Sequence, residues 1–316
     1  MKLNRNETAQ FLLDHDHFAI LSHARPDGDT LGSSAALCRG LRAMGKTCHV
    51  LANPDITPRF GWLHEGLTKD APEAGDTLVS VDVAAPDLIP KIYQPYLGSI
   101  ALRIDHHGSA TSFTEHELVD PDSASCAEVI LDLLELMGCP LDPNLLDAVY
   151  VGISTDTGCF RFANTTAHTF RTAAQCAQGG ARIYTLNQEL FETNTLGRLK
   201  MQGWIVEHMK LLREGAVALC VIPLEVERAL GVTSDDMDNI SNFPRTVAGV
   251  NMAATLRQTP DGVVKLSVRA LPGYDATTIT CRFGGGGHKG AAGASLRMPL
   301  EQAAQAVEQA LLESCQ

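Results

Sequence analysis

Three apolar runs of strand length in this chain end in the same way, and that repetition limits the fold more than any other feature. His17 to Ser22 leads into His23-Ala24-Arg25-Pro26-Asp27-Gly28-Asp29, Thr77 to Val81 into Asp82, and Ile100 to Ile104 into Asp105-His106-His107. Short continuous apolar runs mark strands buried on both faces, which occur in parallel sheets covered by helices. Between them, Thr30 to Met44 reads as a helix closed by Gly45, Cys48 to Leu51 as a further strand, and Leu88 to Tyr96 as helix-like. Helices are also expected at Ala127 to Met137, Asn144 to Val151 and Ala167 to Ala177, with Gly138 and Gly179 as stop signals. The pattern predicts an α/β fold whose polar loops gather at the carboxyl ends of the strands, where such sheets bind ligands.

The pattern changes after residue 190. Gly197 to Arg213 reads as one long amphipathic helix, and from Ala216 a second alternation begins. It comprises a strand to Ile222, a helix near Leu224 to Leu230, strands Gly249 to Gln258 and Val263 to Ala270, a glycine-rich loop, and a terminal helix from Leu300. A chain of 316 residues is long enough for two domains. The expected division is an α/β domain over 1–190, a helical connector over 191–214, and a smaller α/β domain over 215–316.

Composition excludes several classes. The longest apolar runs, such as Ala216 to Pro223, fall far short of the roughly 20 residues a bilayer requires, so no membrane association is expected. The polar N-terminus, Met1 to Gln10, lacks a signal-peptide core, and a cytoplasmic location is expected. Nine cysteines without a C-x-x-C pair read as reduced packing residues. A net charge of −12 argues against binding long duplex nucleic acid over a basic face. Residues 257 to 297 nevertheless hold six basic side chains (Arg257, Lys265, Arg269, Arg282, Lys289, Arg297) against two acidic ones. A metal site in an acidic body, with a clamp for a small anion in the basic segment, fits this distribution. The sequence leaves a homodimer open.

The chemistry lies in the loops. His23, Asp27, Asp29, Asp82, His106 and Asp156, the last in Thr155-Asp156-Thr157-Gly158, are hard metal ligands. Each piece alone has a plain structural reading, since Asp-Gly-Asp forms turns and an Asp after a strand caps helices. Several such clusters in register behind apolar strands exceed what capping explains. Carboxylates brought together raise one another's pKa unless a cation sits among them. Oxygen and imidazole ligands without thiolate favour Mn2+, Mg2+, Co2+ or Zn2+, with geometry and supply deciding among them. More than four such ligands point to two ions roughly 3.5 to 4 Å apart. A second signal is Phe283-Gly284-Gly285-Gly286-Gly287-His288-Lys289-Gly290-Ala291-Ala292-Gly293. Gly285, Gly286 and Gly287 permit close backbone approach to an anion, His288 and Lys289 supply donors, and Ala291-Ala292 is expected to open a helix whose N-terminus favours phosphate. Arg269, at the end of its strand, can add a forked contact.

His23-x-x-Pro26-Asp27-Gly28-Asp29, Asp82, the Asp105-His106-His107 triplet and Asp156 resemble, in order, the four motifs of the DHH phosphoesterase superfamily. The glycine run and Ser267-Val268-Arg269 resemble the DHH-associated C-terminal domain of its RecJ-like branch. By length and domain order the chain is similar to the bifunctional oligoribonucleases and 3′-phosphoadenosine 5′-phosphate (pAp) phosphatases, or nano-RNases. The resemblance implies one ion on His23, Asp27 and Asp82 and another on Asp29, Asp82, His106 and Asp156, with Asp82 bridging. It implies a catalytic, substrate-side role for His107, orientation of His106 by Asp105, and nucleotide-phosphate contacts from Arg269, Gly286 and His288. Two departures, Ala270 to Tyr274 and Gly290, lie in the C-terminal domain, which the resemblance makes a substrate-binding domain beside a catalytic N-terminal one. The expected activity is Mn2+-dependent hydrolysis of short oligoribonucleotides to nucleoside 5′-monophosphates, with removal of the 3′-phosphate of pAp. Alternatives are a phosphodiesterase for cyclic or linear signalling dinucleotides and a metal-dependent nucleotide sensor without turnover. A pyrophosphatase is disfavoured because no Arg-Lys-Lys run closes the C-terminal domain.

Overall fold

The apolar runs of the N-terminal half form one parallel sheet. The structure, a computed structural model, describes residues 1–108, 111–237 and 239–314; it divides into two units, Met1–Thr193 and Asn194–Gln316. The first unit opens with helix α1 (Arg5–Asp14), started by a capping box between Asn4 and Glu7. Its strands are β1 (Phe18–Leu21), β2 (Cys48–Leu51), β3 (Thr68–Lys69), β4 (Thr77–Val81), β5 (Ile100–Asp105) and β6 (His116–Val119). They pair in the order β3-β2-β1-β4-β5-β6, all parallel. The chain therefore travels outward from β1 through β3, then returns to lay β4 on the other side of β1. The resulting crevice, between the carboxyl ends of β1 and β4, is where a doubly wound sheet takes its ligand.

Helices α2 (Gly28–Ala43), α3 (Cys126–Leu136) and α4 (Pro143–Asp156) form the main layer, followed by α5 (Ala167–Gln178) and α6 (Ile183–Asn187). Glycines set their spacing. A Cβ on Gly32 would stand 2.4 Å from the Ala148 carbonyl oxygen, and one on Gly152 would stand 2.3 Å from the Ala127 Cβ. The expected helix from Leu88 to Tyr96 is instead two 3-10 segments, Pro86–Leu88 and Lys91–Ser99. Pro90 and Pro95 explain the difference, because neither can donate the N–H that an α-helix requires.

The second unit comprises α7 (Leu196–His208), β7 (Lys210–Leu212), β8 (Val217–Ile222), α8 (Leu224–Leu230), β9 (Met252–Gln258), β10 (Val264–Ala270), α9 (Thr277–Thr280), β11 (Gly286–His288), β12 (Ala291–Leu296) and α10 (Leu300–Ser314). The mixed sheet runs β11-β12-β10-β9-β8-β7, with only β8 and β9 parallel. The long helix expected to reach Arg213 stops at His208. Residues Lys210–Leu212 pair antiparallel with β8 across a turn in which Arg213, Glu214 and Gly215 all have positive φ. Met201 and Ile205 of α7 are buried against Cys220 and Ile222, so the segment expected as a connector packs within the second unit. A core of Val217, Leu256, Leu266, Val268, Ile279, Val307 and Leu311 lies beneath one face of the sheet.

Cys38, Cys48, Cys126, Cys139, Cys176 and Cys220 are buried free thiols, Cys159 is half-buried and Cys281 exposed; Cys315 lies outside the described residues. Among the described residues, no helix is long and apolar enough to cross a membrane.

Candidate active site

Each ligand-bearing loop leaves the same edge of the first sheet. After β1 the chain carries His23, then Asp27, whose carboxylate caps α2 by accepting from the Asp29 and Thr30 amides at 3.0 and 3.2 Å. Asp29 lies in the first turn of the capped helix and reaches across to the start of α3. There it accepts from the Cys126 amide at 2.7 Å and the Ala127 amide at 2.9 Å. Asp82 follows β4 in the left-handed region, φ 58°, a conformation that Asp tolerates better than bulkier residues. His106 and His107 follow β5. Asp156 comes not from a loop behind a strand but from the last turn of α4, brought close because Gly28, Gly32 and Gly152 allow α2 and α4 to approach.

The six expected ligands converge. His23 Nε2 stands 3.7 Å from Asp27 Oδ1 and 3.6 Å from Asp82 Oδ2. His106 Nε2 stands 3.5 Å from Asp82 Oδ1, 3.6 Å from Asp156 Oδ2 and 3.7 Å from Asp29 Oδ2. These distances are too long for hydrogen bonds. They suit atoms that share an ion, since ligands held about 2.1 Å from one cation stand roughly 3 to 3.5 Å apart. Three groupings could each hold a metal: His23, Asp27 and Asp82; Asp29, His106 and Asp156; and Asp82, His106 and His107. Asp82 belongs to two of them.

Backbone contacts orient both imidazoles. His23 Nδ1 bonds the Ala24 carbonyl at 2.9 Å, and His106 Nδ1 bonds the Ser123 carbonyl at 3.2 Å. A carbonyl accepts only, so each Nδ1 carries a hydrogen and Nε2 faces the carboxylates, where a neutral ring offers its lone pair to a metal. Burial would lower the His23 pKa, but Asp27 and the Ala24 carbonyl outweigh it and raise the pKa. Lone pairs and carboxylates facing one another repel unless a cation lies between them. Buried Asp82 Oδ1 indeed has no hydrogen-bond partner. Burial, then the charges of Asp29, Asp27, Asp156 and Asp105, push the Asp82 carboxyl well above the ordinary range. Burial with Asp29 and Asp27 pushes Asp156 up to about 8, and burial also raises Asp29 despite its hydrogen bonds. The donor set therefore fits divalent cations.

One expected contact is corrected. Asp105 does not orient the His106 ring. Its Oδ1 accepts from His107 Nδ1 at 2.8 Å, and from the His106 and His107 amides at 2.8 and 3.2 Å. The ring of His106 is held by Ser123 instead, because α3 begins where that carbonyl can reach it. Burial would raise the Asp105 carboxyl, but the His107 contacts and the Arg103 guanidinium outweigh it and hold it below its ordinary value. Arg103 is itself buried, 3.4 Å from Asp105 Oδ2 and 3.6 Å from Glu117. Sequence reading missed this carboxylate-backed arginine, the Ser123 carbonyl and the α3 N-terminus. Alternation along β5 gave the only signal for Arg103; nothing local marked the other two.

Residues 17–153 match the DHH family, N-terminal domain, and residues 217–313 match the DHHA1 domain. The chain is 33% identical over 297 residues to the bifunctional oligoribonuclease and PAP phosphatase NrnA of Thermus thermophilus, covering 93% of this chain and 89% of that protein. It belongs to the DHH family. An exopolyphosphatase-related protein from Bacteroides fragilis shares the fold, with a TM-score of 0.88 at 23% identity, covering 98% of this chain and 96% of that one. RecJ from Thermus thermophilus, solved with Mn2+, shares it more loosely, with a TM-score of 0.57 at 15% identity, covering 98% of this chain and 55% of that one. Like its named relatives in the DHH family, this chain is a hydrolytic enzyme.

The DHHA1 unit corrects a second expectation. Ala291 and Ala292 do not open a helix; they begin β12, which pairs with β10 and carries the edge strand β11. Hydrogen bonding to the open side of β10 decides the conformation, overriding the helical preference of alanine. The glycines permit that hairpin. A Cβ on Gly285 would stand 2.2 Å from the Gly293 carbonyl, and one on Gly287, at φ 138°, would stand 2.6 Å from the Ala291 carbonyl, whereas Gly286 faces open space. Register places Arg269 opposite Ala291, and Ala291 opposite His288. Opposed residues share a face, so Arg269 and His288 flank a floor of Ala291, Gly293 and Gly286 on the side away from the core. Lys289 is in the connecting turn. The basic segment is less free than its composition suggests, because Arg257 is committed to Glu227 and Arg282 to Glu313.

Proposed function

We propose that this protein hydrolyses short oligoribonucleotides to nucleoside 5′-monophosphates and removes the 3′-phosphate of pAp, using two divalent ions, most simply Mn2+. The observation that carries the reading is Asp82, buried, its Oδ1 without a hydrogen-bond partner among the described residues, and common to two ligand groupings. In this reading His23, Asp27 and Asp82 hold one ion, and Asp29, Asp82, His106 and Asp156 the other. Such ions, when bound, neutralise phosphoryl oxygens and acidify the attacking water. His107 remains for the substrate. Asp105 fixes its Nδ1–H and turns Nε2 outward, where the imidazolium form can donate its Nε2–H to a non-bridging oxygen or protonate the leaving oxygen. Arg269, His288, Lys289 and the backbone of Gly285, Gly286 and Gly287 receive a nucleotide phosphate. The relatives named as oligoribonuclease and PAP phosphatase support this choice of substrate.

The test is product analysis on a 5′-labelled trinucleotide, with pAp, a cyclic dinucleotide and pyrophosphate alongside, in Mn2+ and then in chelator. Mononucleotides from the trinucleotide and phosphate from pAp are expected only with metal. Turnover confined to cyclic dinucleotide, or binding of short RNA without product, would overturn the assignment.

A further inference from the structure

Arg269 is not alone on its face of the second sheet. Residues 239–246 form two successive 3-10 turns, with the Asn242 amide bonded to the Asn239 carbonyl, Phe243 to Ile240 and Thr246 to Phe243, at 2.9 to 3.0 Å. Side chains three residues apart eclipse in such turns, so Asn242 and Arg245 leave on the same side. Asn242 Oδ1 accepts from Arg269 Nε at 2.8 Å, which fixes the side to which both point. Buried Ile240, Ser241 and Pro244 anchor the turns. Burial, then the charge of Arg245, lowers the Arg269 pKa, in keeping with two guanidinium groups in proximity.

Neither arginine has a carboxylate partner among the described residues. Among the described residues, the Arg269 side chain hydrogen-bonds only to Asn242 and the Val268 carbonyl. Arg257, Arg282 and Lys210 of the same unit are paired with Glu227, Glu313 and Glu308. Other cations without a carboxylate partner, such as Arg228, Lys265, Lys289 and Arg297, are exposed to solvent, whereas Arg245 and Arg269 are half-buried. Two half-buried like charges repel, and an anion between them reverses the sign. Paired guanidinium forks match a terminal phosphate monoester, which carries about −1.5 to −2 at neutral pH, better than a singly charged diester.

We propose that Arg245 and Arg269 together form the pocket for the terminal phosphate of a nucleotide, making Arg245 a specificity residue that selects phosphorylated over unphosphorylated ends. The inference rests on the proposed function and names the charge state its nucleotide site reads. The assay compares pAp with adenosine 3′-monophosphate, which share the leaving 3′-phosphate and differ only in the 5′-phosphate. For Arg245→Gln, the ratio of kcat/KM for pAp to that for adenosine 3′-monophosphate should fall about 10- to 100-fold, the scale of a charge-assisted contact, with the loss in KM. Arg245→Lys should recover part of it, keeping charge without the fork. Calorimetry of 5′-AMP against adenosine, without added metal, should show the same loss for AMP. The Arg245 side chain has no ion-pair or hydrogen-bond partner among the described residues, so the variant should melt at or above the wild-type temperature. A wild-type pAp preference in a folded Arg245→Gln protein overturns this inference and leaves the proposed function standing. A wild-type protein that neither binds AMP nor hydrolyses pAp overturns both.

Discussion

Replacing Gly152 by alanine tests whether close approach of α2, α3 and α4 assembles the site. The added methyl would stand 2.3 Å from Ala127 Cβ and 2.8 Å from Asp29 Oδ1, where carbon atoms prefer about 3.5 to 4.0 Å. Ala127 Cβ is fixed to the backbone of α3, and Asp29 Oδ1 is held by the Ala127 amide and Ser33, so α4 must retreat by roughly 1 Å or more. Overpacking of this kind costs about 1 to 3 kcal/mol. Helix propensity acts in the opposite direction, since Ala is favoured over Gly by about 1 kcal/mol inside a helix. The expected net result is a metal-free protein destabilised by up to about 2 kcal/mol in urea. Asp156 is one turn further along α4, so the same retreat draws it from His106. Mn2+ affinity by calorimetry should then fall about 10- to 100-fold, as when a ligand's supporting contacts are lost. Gly203→Ala in α7 is the control, because its Cβ meets nothing within 4 Å; it should gain about 0.5 to 1 kcal/mol. A Gly152→Ala protein that is as stable as wild type and binds Mn2+ equally well would refute the close-packing account.

Asp82→Asn should reduce turnover by about 10³-fold or more while raising the metal-free melting temperature, because it removes the most strongly repelled carboxylate; a folded variant with Mn2+-dependent activity near wild type would contradict its shared role. Asp105→Asn should leave Mn2+ binding largely intact and lower kcat about 10- to 100-fold with little change in KM, as His107 loses its anchor; an equal loss in metal affinity would reassign Asp105. His64 gives a stability test away from the site. Burial depresses its pKa from 6.5 to about 4, with Nε2 on Ser34 Oγ at 2.9 Å. Between those values the unfolded chain binds the proton and the folded chain does not. Stability is therefore complete above pH 6.5 and falls as pH drops toward 4, by about 3 kcal/mol for this group. His64→Gln should flatten that slope of urea-derived stability; an unchanged slope would rule out His64 as its source.

The parallel sheet and the ligand set were legible because both are local. Apolar runs of strand length announce burial on both faces, and the candidate ligands other than Asp156, which ends α4, lie in the segments that follow them. What remained hidden depends on partners distant in sequence. Asp105 could serve either neighbouring histidine until β5 and α3 were positioned, and only the Ser123 carbonyl, seventeen residues beyond His106, decided between them. Ala291 and Ala292 read as a helix start by composition, yet the open side of β10 claims them as a strand. Gly32 and Gly152 read as ordinary small residues inside helices until the opposing Ala148 and Ala127 were known. Arg245 stood outside the counted basic segment, and its meaning comes from a 3-10 periodicity that no apolar pattern signals.

The two units solve opposite electrostatic problems with similar means. In the first, carboxylates and imidazole lone pairs converge at a sheet edge where burial denies them solvent, and the backbone around them is tightly determined: Asp82 is held in the left-handed region and Asp29 by two amides of α3. A site that served only to bind a structural ion would close its shell with about four ligands. It would have no use for a further histidine whose Nδ1 is tied to a buried carboxylate so that Nε2 faces outward. In the second unit, Arg269, joined by Arg245 in the proposed pocket, flanks a floor of alanine and glycine with no carboxylate partner among the described residues. Half-buried guanidinium groups in that state suit an anion, just as the carboxylates and imidazoles of the first unit suit a cation. Phosphate esters are the chemistry that both units address, because hydrolysis needs cations at the reacting phosphorus and recognition needs donors at a phosphate that does not react.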